Sequence, residues 1–285
     1  MGFGISKTQI SLRAHEVGHS SAIRNKKANR HIGNALGPGL LGISRTQWIE
    51  KHKLHHDFPN REEMDTDIDF PVLAFEASQA LQKRKIAQPI IRHQHLWILP
   101  LMCLQAFNAQ WGTIRYLWRK PEDYKVQSVG VAFHWGYMLA LAYLLGPAYG
   151  TAFFLLSGFA NGLSNGSVFA PNHKGMGLIP KDAPFDWFLD QVVPSRNIHG
   201  NNRLTQSMVN FWYGGLQYQI EHHLFPMMAM DNLEKIAPYV RAFCEEEGVS
   251  YASATPWQST REIFHYLRGV ANTVSANHRL AKSLA

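Results

Sequence analysis

The chain has 285 residues, a formal net charge of +7 and two cysteines. That length suits one large domain or two small ones. Cys103 and Cys244 are too few and too far apart for a disulfide framework or a cysteine metal site, and no basic stretch is interleaved with aromatics as a nucleic-acid surface would be. From the front, Lys7 and Arg13 flank a short, weakly apolar segment, so no signal peptide or membrane span fits before the first motif. That motif is His15-Glu16-Val17-Gly18-His19. Residues four apart on a helix share a face, so the two imidazoles project together.

Basic residues follow at Arg24, Lys26 and Lys27, and Leu36 to Ile43 is short and rich in Gly and Pro, which reads as an interfacial or re-entrant segment. The second motif is His52-Lys-Leu-His55-His56, on a helix that Pro59 ends. An acidic run containing Asp65, Asp67 and Asp69 lies just beyond it, and carboxylates in such positions commonly accept the second ring N–H of a metal-binding histidine. Further basic groups gather at Lys83-Arg84-Lys85 and around Arg115, Arg119 and Lys120. They lie outside the apolar region, as expected of cytoplasmic segments, and could attract anionic headgroups. Trp97 to Phe107, interrupted by Pro100, is too short to cross a bilayer and reads as interfacial or re-entrant.

From Val126 to His173 no Asp, Glu, Lys or Arg occurs, a run of 48 residues. A helical span needs about 20 apolar residues, so the run predicts a transmembrane hairpin of Val129 to Leu145 and Tyr149 to Phe169, turning at Gly146-Pro147. His173 falls where the second span would leave the membrane, and an imidazole there is better explained as a ligand than as core filling. The third motif, Gln219-Ile220-Glu221-His222-His223, is framed by Gly214-Gly215 and Pro226. The tail from Ser253 reads as a short amphipathic helix around Ile263 to Val270 followed by a frayed polar end. His31, His93, His95, His265 and His278 read as surface groups, His134 as a hydrogen-bonded packing residue and His199 as a loop residue with a minor claim on the site.

The chemistry lies in the number of imidazoles. Seven from the three motifs exceed a four-coordinate zinc site and suit two ions with imidazole-rich shells, although imidazole alone does not select the metal. The metal ligands expected are His15, His19, His52, His55, His56, His173, His222 and His223. Gln219 stands where a further histidine would complete the third motif; amide oxygen is a weak ligand, and the side chain could instead hold a metal-bound water. Gln219, Glu16, Asp65, Asp67, Asn172 and Glu221 are the candidates to reach the metals through water or to brace the ligands. His15-Glu16-x-x-His19 also matches a zinc-protease signature. A glycine in that helix, costing about 1 kcal/mol relative to alanine, and the lack of any role for the other histidines count against that reading.

At these residues the chain resembles the membrane fatty-acyl desaturases with three histidine boxes, in the variant whose third box begins with Gln, as in front-end and bacterial acyl-CoA desaturases. The resemblance runs from His15 to Pro226 and is most specific in Gly-Gly-Leu-Gln-Tyr-Gln-Ile-Glu-His-His-Leu-Phe-Pro. It implies an all-α integral membrane protein, with a transmembrane hairpin and a cytosolic helical cap holding the metal site. Residues 1–252 would form the desaturase domain and 253–285 a C-terminal helix and tail. It also implies two non-haem iron ions, O2 as co-substrate, a fatty-acyl substrate, and a separate electron donor of ferredoxin or cytochrome type with its reductase. The setting implied is a multi-pass membrane protein with the site on the cytosolic face, in a bacterial plasma membrane rather than the endoplasmic reticulum. Relatives carry spans before the first box and this chain has none, which implies a truncated front and a weakly packed first helix. The readings kept beside this one are a lipid hydroxylase of the same di-iron type and a non-catalytic metal-binding membrane protein.

Overall fold

The computed structural model describes residues 1–119 and 125–283, without the side chains of 278–283; Lys120 and the His278 side chain therefore lie outside the described residues. The chain is all-α as expected. Its regular structure is helical apart from β1 (Asn197–Ile198) and β2 (Ser253–Ala254), a short parallel pair.

The first helix, α1 (Gly2–Gly18), is fully formed and packed. A Cβ at Gly4 would meet Ser157 O and Asn161 N, Thr8 donates to Asn161 Oδ1 at 3.3 Å, Leu12 is buried with Val168, and the His15 ring lies 6.1 Å from Phe169. Successive turns of α1 thus run parallel to α9 (Pro147–His173) from its middle to its last turn. The expected lack of packing surface is corrected here: the partner of α1 is a helix 150 residues away, which periodicity within the first 20 residues cannot reveal. After α1 come α2 (Lys26–Asn34), a π-helical turn over Ala35–Leu41, and α3 (Arg45–Asp57). Ser44 caps α3 by accepting from Gln47 N, satisfying one of the orphan amides of a helix start.

Next come α4 (Ala77–Gln82), α5 (Gln88–Ile91), α6 (Gln94–Cys103), α7 (Gln105–Arg119) and α8 (Lys125–Leu144). The stretch expected to be one short interfacial segment is α6 running into α7, and both pack on α9. Their contact is made close by a stripe of glycines on α9. A Cβ at Gly162 would lie 2.4 Å from Cys103 O, and Gly158 and Gly166 face Phe107 and Met102 in the same way.

Helices α8 and α9 form the hairpin expected, turning at Gly146 (φ 77°) with Pro147 opening α9. Among the described residues, however, no helix is long and apolar enough to cross a membrane. Both helices bury polar side chains against neighbouring elements: Gln127 and His134 on α8 meet Ser44, Thr46, Leu40 and Gln110, and Asn161 on α9 meets Thr8 of α1, which lowers the mean apolarity. Large apolar side chains point outward instead, with Val129 70%, Phe133 61% and Leu144 79% exposed. His134 is the packing residue anticipated, bonded to Gln110, Leu40 O and Tyr137.

The chain continues through α10 (Trp187–Val192), α11 (Arg203–Tyr213), α12 (Gln219–Leu224), α13 (Met230–Glu246) and α14 (Pro256–Ser283). The short helix expected at Ile263 to Val270 is one of 28 residues. It buries Ile263, Leu267, Ala271 and Val274 against α4, α6 and the loop carrying Ile68 and Phe75.

The Gly162 contact is with backbone oxygen and cannot relax by a side-chain rotation. Gly162→Ala is expected to destabilise the fold by about 1–3 kcal/mol and to lower the thermal unfolding midpoint. Gly136→Ala, with open space around it, leaves the midpoint unchanged or raises it through helix propensity. Equal melting of the two variants would refute the close approach.

Candidate metal centre

Four helices deliver eight imidazoles to one place. His15 and His19 come from the last turn of α1, and His52, His55 and His56 from α3. His173 is the last residue of α9, and His222 and His223 lie on α12. They form two groups. Ring nitrogens of His15, His19, His52, His56 and His222 lie within 4.8 Å of one another, as do those of His55, His173 and His223. In the first group His52 Nε2 lies 2.9 Å from His19 Nε2 and 3.1 Å from His56 Nε2. In the second, His173 Nε2 lies 3.3 Å from His55 Nε2 and 3.1 Å from His223 Nε2.

Nitrogens facing each other at these distances need something between them. Burial, then repulsion from neighbouring imidazoles, holds His15, His52, His56, His222 and His223 well below the ordinary histidine value. Burial lowers His173 in the same way and takes His19 down to about 4. These seven rings are therefore held in the neutral form, and each keeps a nitrogen lone pair that can bind a cation. Both nitrogens of His15, Nδ1 of His56 and Nε2 of His222 are buried without a hydrogen-bond partner, a costly arrangement in a protein interior. Nitrogens bound to one metal at about 2.0–2.1 Å sit roughly 3.0–3.4 Å apart, so the three-histidine group has the spacing of a ligand set. The donor set fits two cations.

The three-histidine group is held from behind. His55 Nδ1 lies 2.9 Å from Asp65 Oδ2, His173 Nδ1 donates to Pro194 O at 3.1 Å, and His223 Nδ1 donates to Gln191 Oε1 at 2.9 Å. Each contact fixes a tautomer whose Nε2 lone pair faces inward. Asp65 also accepts from the backbone N–H of Asn60 and of Asp67. Burial alone would raise the Asp65 carboxyl, but His55, Lys174 and the Asp67 amide outweigh it and hold it below the usual carboxylate range. His55 is the exception among the imidazoles: burial lowers it, but Asp65 more than offsets this and raises it.

The other carboxylates stand elsewhere. Asp67 lies 3.9 Å from His55 Nδ1, beyond hydrogen-bond reach, and contributes its carbonyl to the half-buried Lys174. Glu221 is fully buried but faces outward from the cluster, accepting from Asn197 Nδ2 and the Tyr251 hydroxyl; it braces α12 against β1. Glu16 pairs with Arg13 at 2.9 Å and receives the Met230 amide, which leaves it unsuited to the general-base role of a zinc protease. Asn172 donates to Leu216 O and to Gln219 Oε1. The His199 ring donates to Gly200 O, its backbone N–H donates to Ala254 O, and it is not among the clustered histidines.

Three contributors escaped the sequence. Trp48 stacks on His52, with ring centroids 4.4 Å apart; its place one turn before His52 was the available signal. Gln191 on α10 and Asn60, which donates to His173 O at 3.1 Å, carried none, because each meets its histidine from a segment distant in sequence.

Residues 1–255 match the family described as Fatty acid desaturase. The chain belongs to the fatty acid desaturase family. It is 31% identical to an acyl-lipid (9-3)-desaturase of Physcomitrium patens, over 95% of this chain and 52% of the relative. It is 27% identical to a Delta(6)-fatty-acid desaturase of Caenorhabditis elegans, over 85% and 57%. It is also 27% identical to a Delta(8)-fatty-acid desaturase of Euglena gracilis, over 93% and 65%. The chain thus spans between about half and two-thirds of the length of these desaturases, and residues 1–255, which match the family, contain all eight clustered histidines.

Removing a ligand should empty a metal position. His223→Ala and His56→Ala are each expected to lower bound metal per chain, and Gln191→Leu to weaken retention on the order of 10–100-fold by releasing the His223 ring. The exposed His31→Ala should do neither. Elemental analysis after dialysis against chelator reads the difference, and full loading in the cluster variants would contradict the grouping. The metal-free protein has a second signature. Seven of the eight imidazoles protonate more readily in the unfolded chain, near 6.5, than in the fold. Between about pH 6.5 and pH 4 the unfolded state binds more protons, so stability falls as pH drops through that window. Denaturant midpoints across a pH series would show it, and a flat series would count against neutral buried imidazoles.

Proposed function

We propose that this chain is an acyl desaturase, which introduces a double bond into a fatty-acyl chain carried by a lipid or by coenzyme A. The observation that carries the reading is the pair of imidazole groups within a chain of this family. His15, His19, His52, His56 and His222 would hold one non-haem iron, and His55, His173 and His223 the other. When bound, such a pair supplies the O2-dependent oxidising power that an unactivated C–H bond demands, since no side-chain acid or base can remove a proton that is not acidic. The protein's own work is to keep the rings neutral by burial, to fix three of them through Asp65, Pro194 O and Gln191, and to hold bulk water off the centre. Electrons would come from a separate ferredoxin- or cytochrome-type protein with its reductase.

The setting proposed is a membrane, with the cluster on the cytosolic side. In support, α8 and α9 bury polar side chains and expose Val129, Phe133, Leu139 and Leu144, the reverse of a helix pair facing water. The basic segments at Arg24 to Lys27 and Lys83 to Lys85 lie outside this pair, as the charge rule for cytoplasmic segments expects. An apolar surround also suits a substrate whose reactive part is hydrocarbon. Residues 1–252 are proposed as the catalytic unit and 253–285 as a buttress.

Expression in a host lacking the activity, followed by mass spectrometry of its lipids, tests the reading. A new alkene that disappears with His223→Ala is expected. A hydroxylated chain would assign the hydroxylase chemistry instead, and an unchanged profile with metal bound would remove the catalytic reading.

A further inference from the structure

The third box opens with Gln219 instead of histidine, and the surrounding hydrogen bonds determine which end of that amide faces the cluster. Leu216 O is a backbone carbonyl and can only accept. It lies 2.9 Å from Asn172 Nδ2, so the Asn172 side chain must turn its NH2 group that way. The same NH2 lies 2.8 Å from Gln219 Oε1 and gives it the second proton. Gln219 Oε1 is thereby occupied, and Gln219 Nε2 is left facing the three-histidine group, 2.9 Å from His173 Nε2. His173 agrees with this polarity from the other side: its Nδ1 donates to Pro194 O, so its Nε2 is a lone pair. All four residues in the chain, Asn172, His173, Leu216 and Gln219, are buried, so bulk water cannot substitute for a lost partner.

Turning the Gln219 amide over would set its NH2 against the Asn172 NH2. Turning both amides over would set the Asn172 oxygen against Leu216 O. Either leaves like groups facing each other in the interior, where an unmade hydrogen bond is expensive. We propose that Gln219 is a hydrogen-bond donor into the open coordination position beside His55, His173 and His223, not a metal ligand, and that Asn172 is the residue that locks it in that sense. An amide N–H cannot bind a cation. It can hold an anionic or aqueous oxygen or nitrogen ligand that enters the position from solution. On this assignment a metal held by the three-histidine group would have a hydrogen-bond donor beside it for a ligand from solution, whereas the other group offers five imidazoles.

The inference rests on the metal-centre reading, and the test separates the two. Cobalt(II) is loaded into the purified full-length chain as a spectroscopic probe, metal per chain is measured, and azide is titrated while the visible bands are followed. Wild type should bind azide. Gln219→Leu and Asn172→Ala should keep the cobalt content of wild type but bind azide at least tenfold more weakly, because the donor is lost in one and free to rotate in the other. Gln219→Glu, which supplies a carboxylate ligand in place of the donor, should release cobalt to chelator more slowly than wild type and exclude azide. Loss of cobalt from Gln219→Leu to the extent seen in His223→Ala would show a ligand and overturn the assignment. Unchanged azide affinity in Gln219→Leu would overturn it equally. A wild-type chain that retains no cobalt would overturn the metal-centre reading, and this one with it.

Discussion

The structure depends on one unfavourable arrangement: eight imidazoles gathered in one place with ring nitrogens facing one another. Seven are pushed toward the neutral form by burial and by each other, and several ring nitrogens have no partner. Packing alone would not select this. It becomes favourable when cations occupy the spaces between the lone pairs, because the folding free energy then includes the binding free energy of the metals. The rest of the fold can be understood as what holds four helix ends against that repulsion. Parallel α1 and α9 bring His15, His19 and His173 to one level, and the π-helical turn and α3 return His52, His55 and His56 to them. Arg196 ties the end of α9 to α14 by donating to Pro171 O and Lys174 O while pairing with Glu262.

The carboxylates divide the labour. Asp65 is the one that reaches an imidazole, and it is itself fixed by two backbone amides, so His55 is both oriented and made more basic. Glu16 and Glu221 stabilise positions rather than ligands, the first joining α1 to the start of α13 and the second joining α12 to β1. The two imidazole groups are therefore unequal. One is backed by carboxylate, carbonyl and amide oxygens; the other is a nearly pure imidazole cage with Trp48 stacked on its edge. All eight clustered histidines lie within residues 1–255, the part that matches the family.

Much of the cluster was legible because helix periodicity is local. His15 and His19, or His52, His55 and His56, share a face whatever the rest of the chain does, and His173 stood out by ending a charge-free run. Gln191, Asn60 and the outward turn of Glu221 were not legible, since each depends on a contact between segments 24 to 113 residues apart. The length of α14 was under-read because its apolar face continues through Ala271 to Val274 among polar neighbours. The hairpin shows the opposite limit: helices and turn follow from the sequence run, but the role of the polar side chains that dilute their apolarity appears only when burial is known.

The most direct test of the account is metal stoichiometry combined with X-ray absorption at the iron edge on the iron-loaded chain. The account predicts two ions per chain, each in a shell dominated by imidazole nitrogen, with a light-atom ligand from solution completing the less crowded one. A single ion per chain, or a shell dominated by carboxylate oxygen or sulfur, would contradict it.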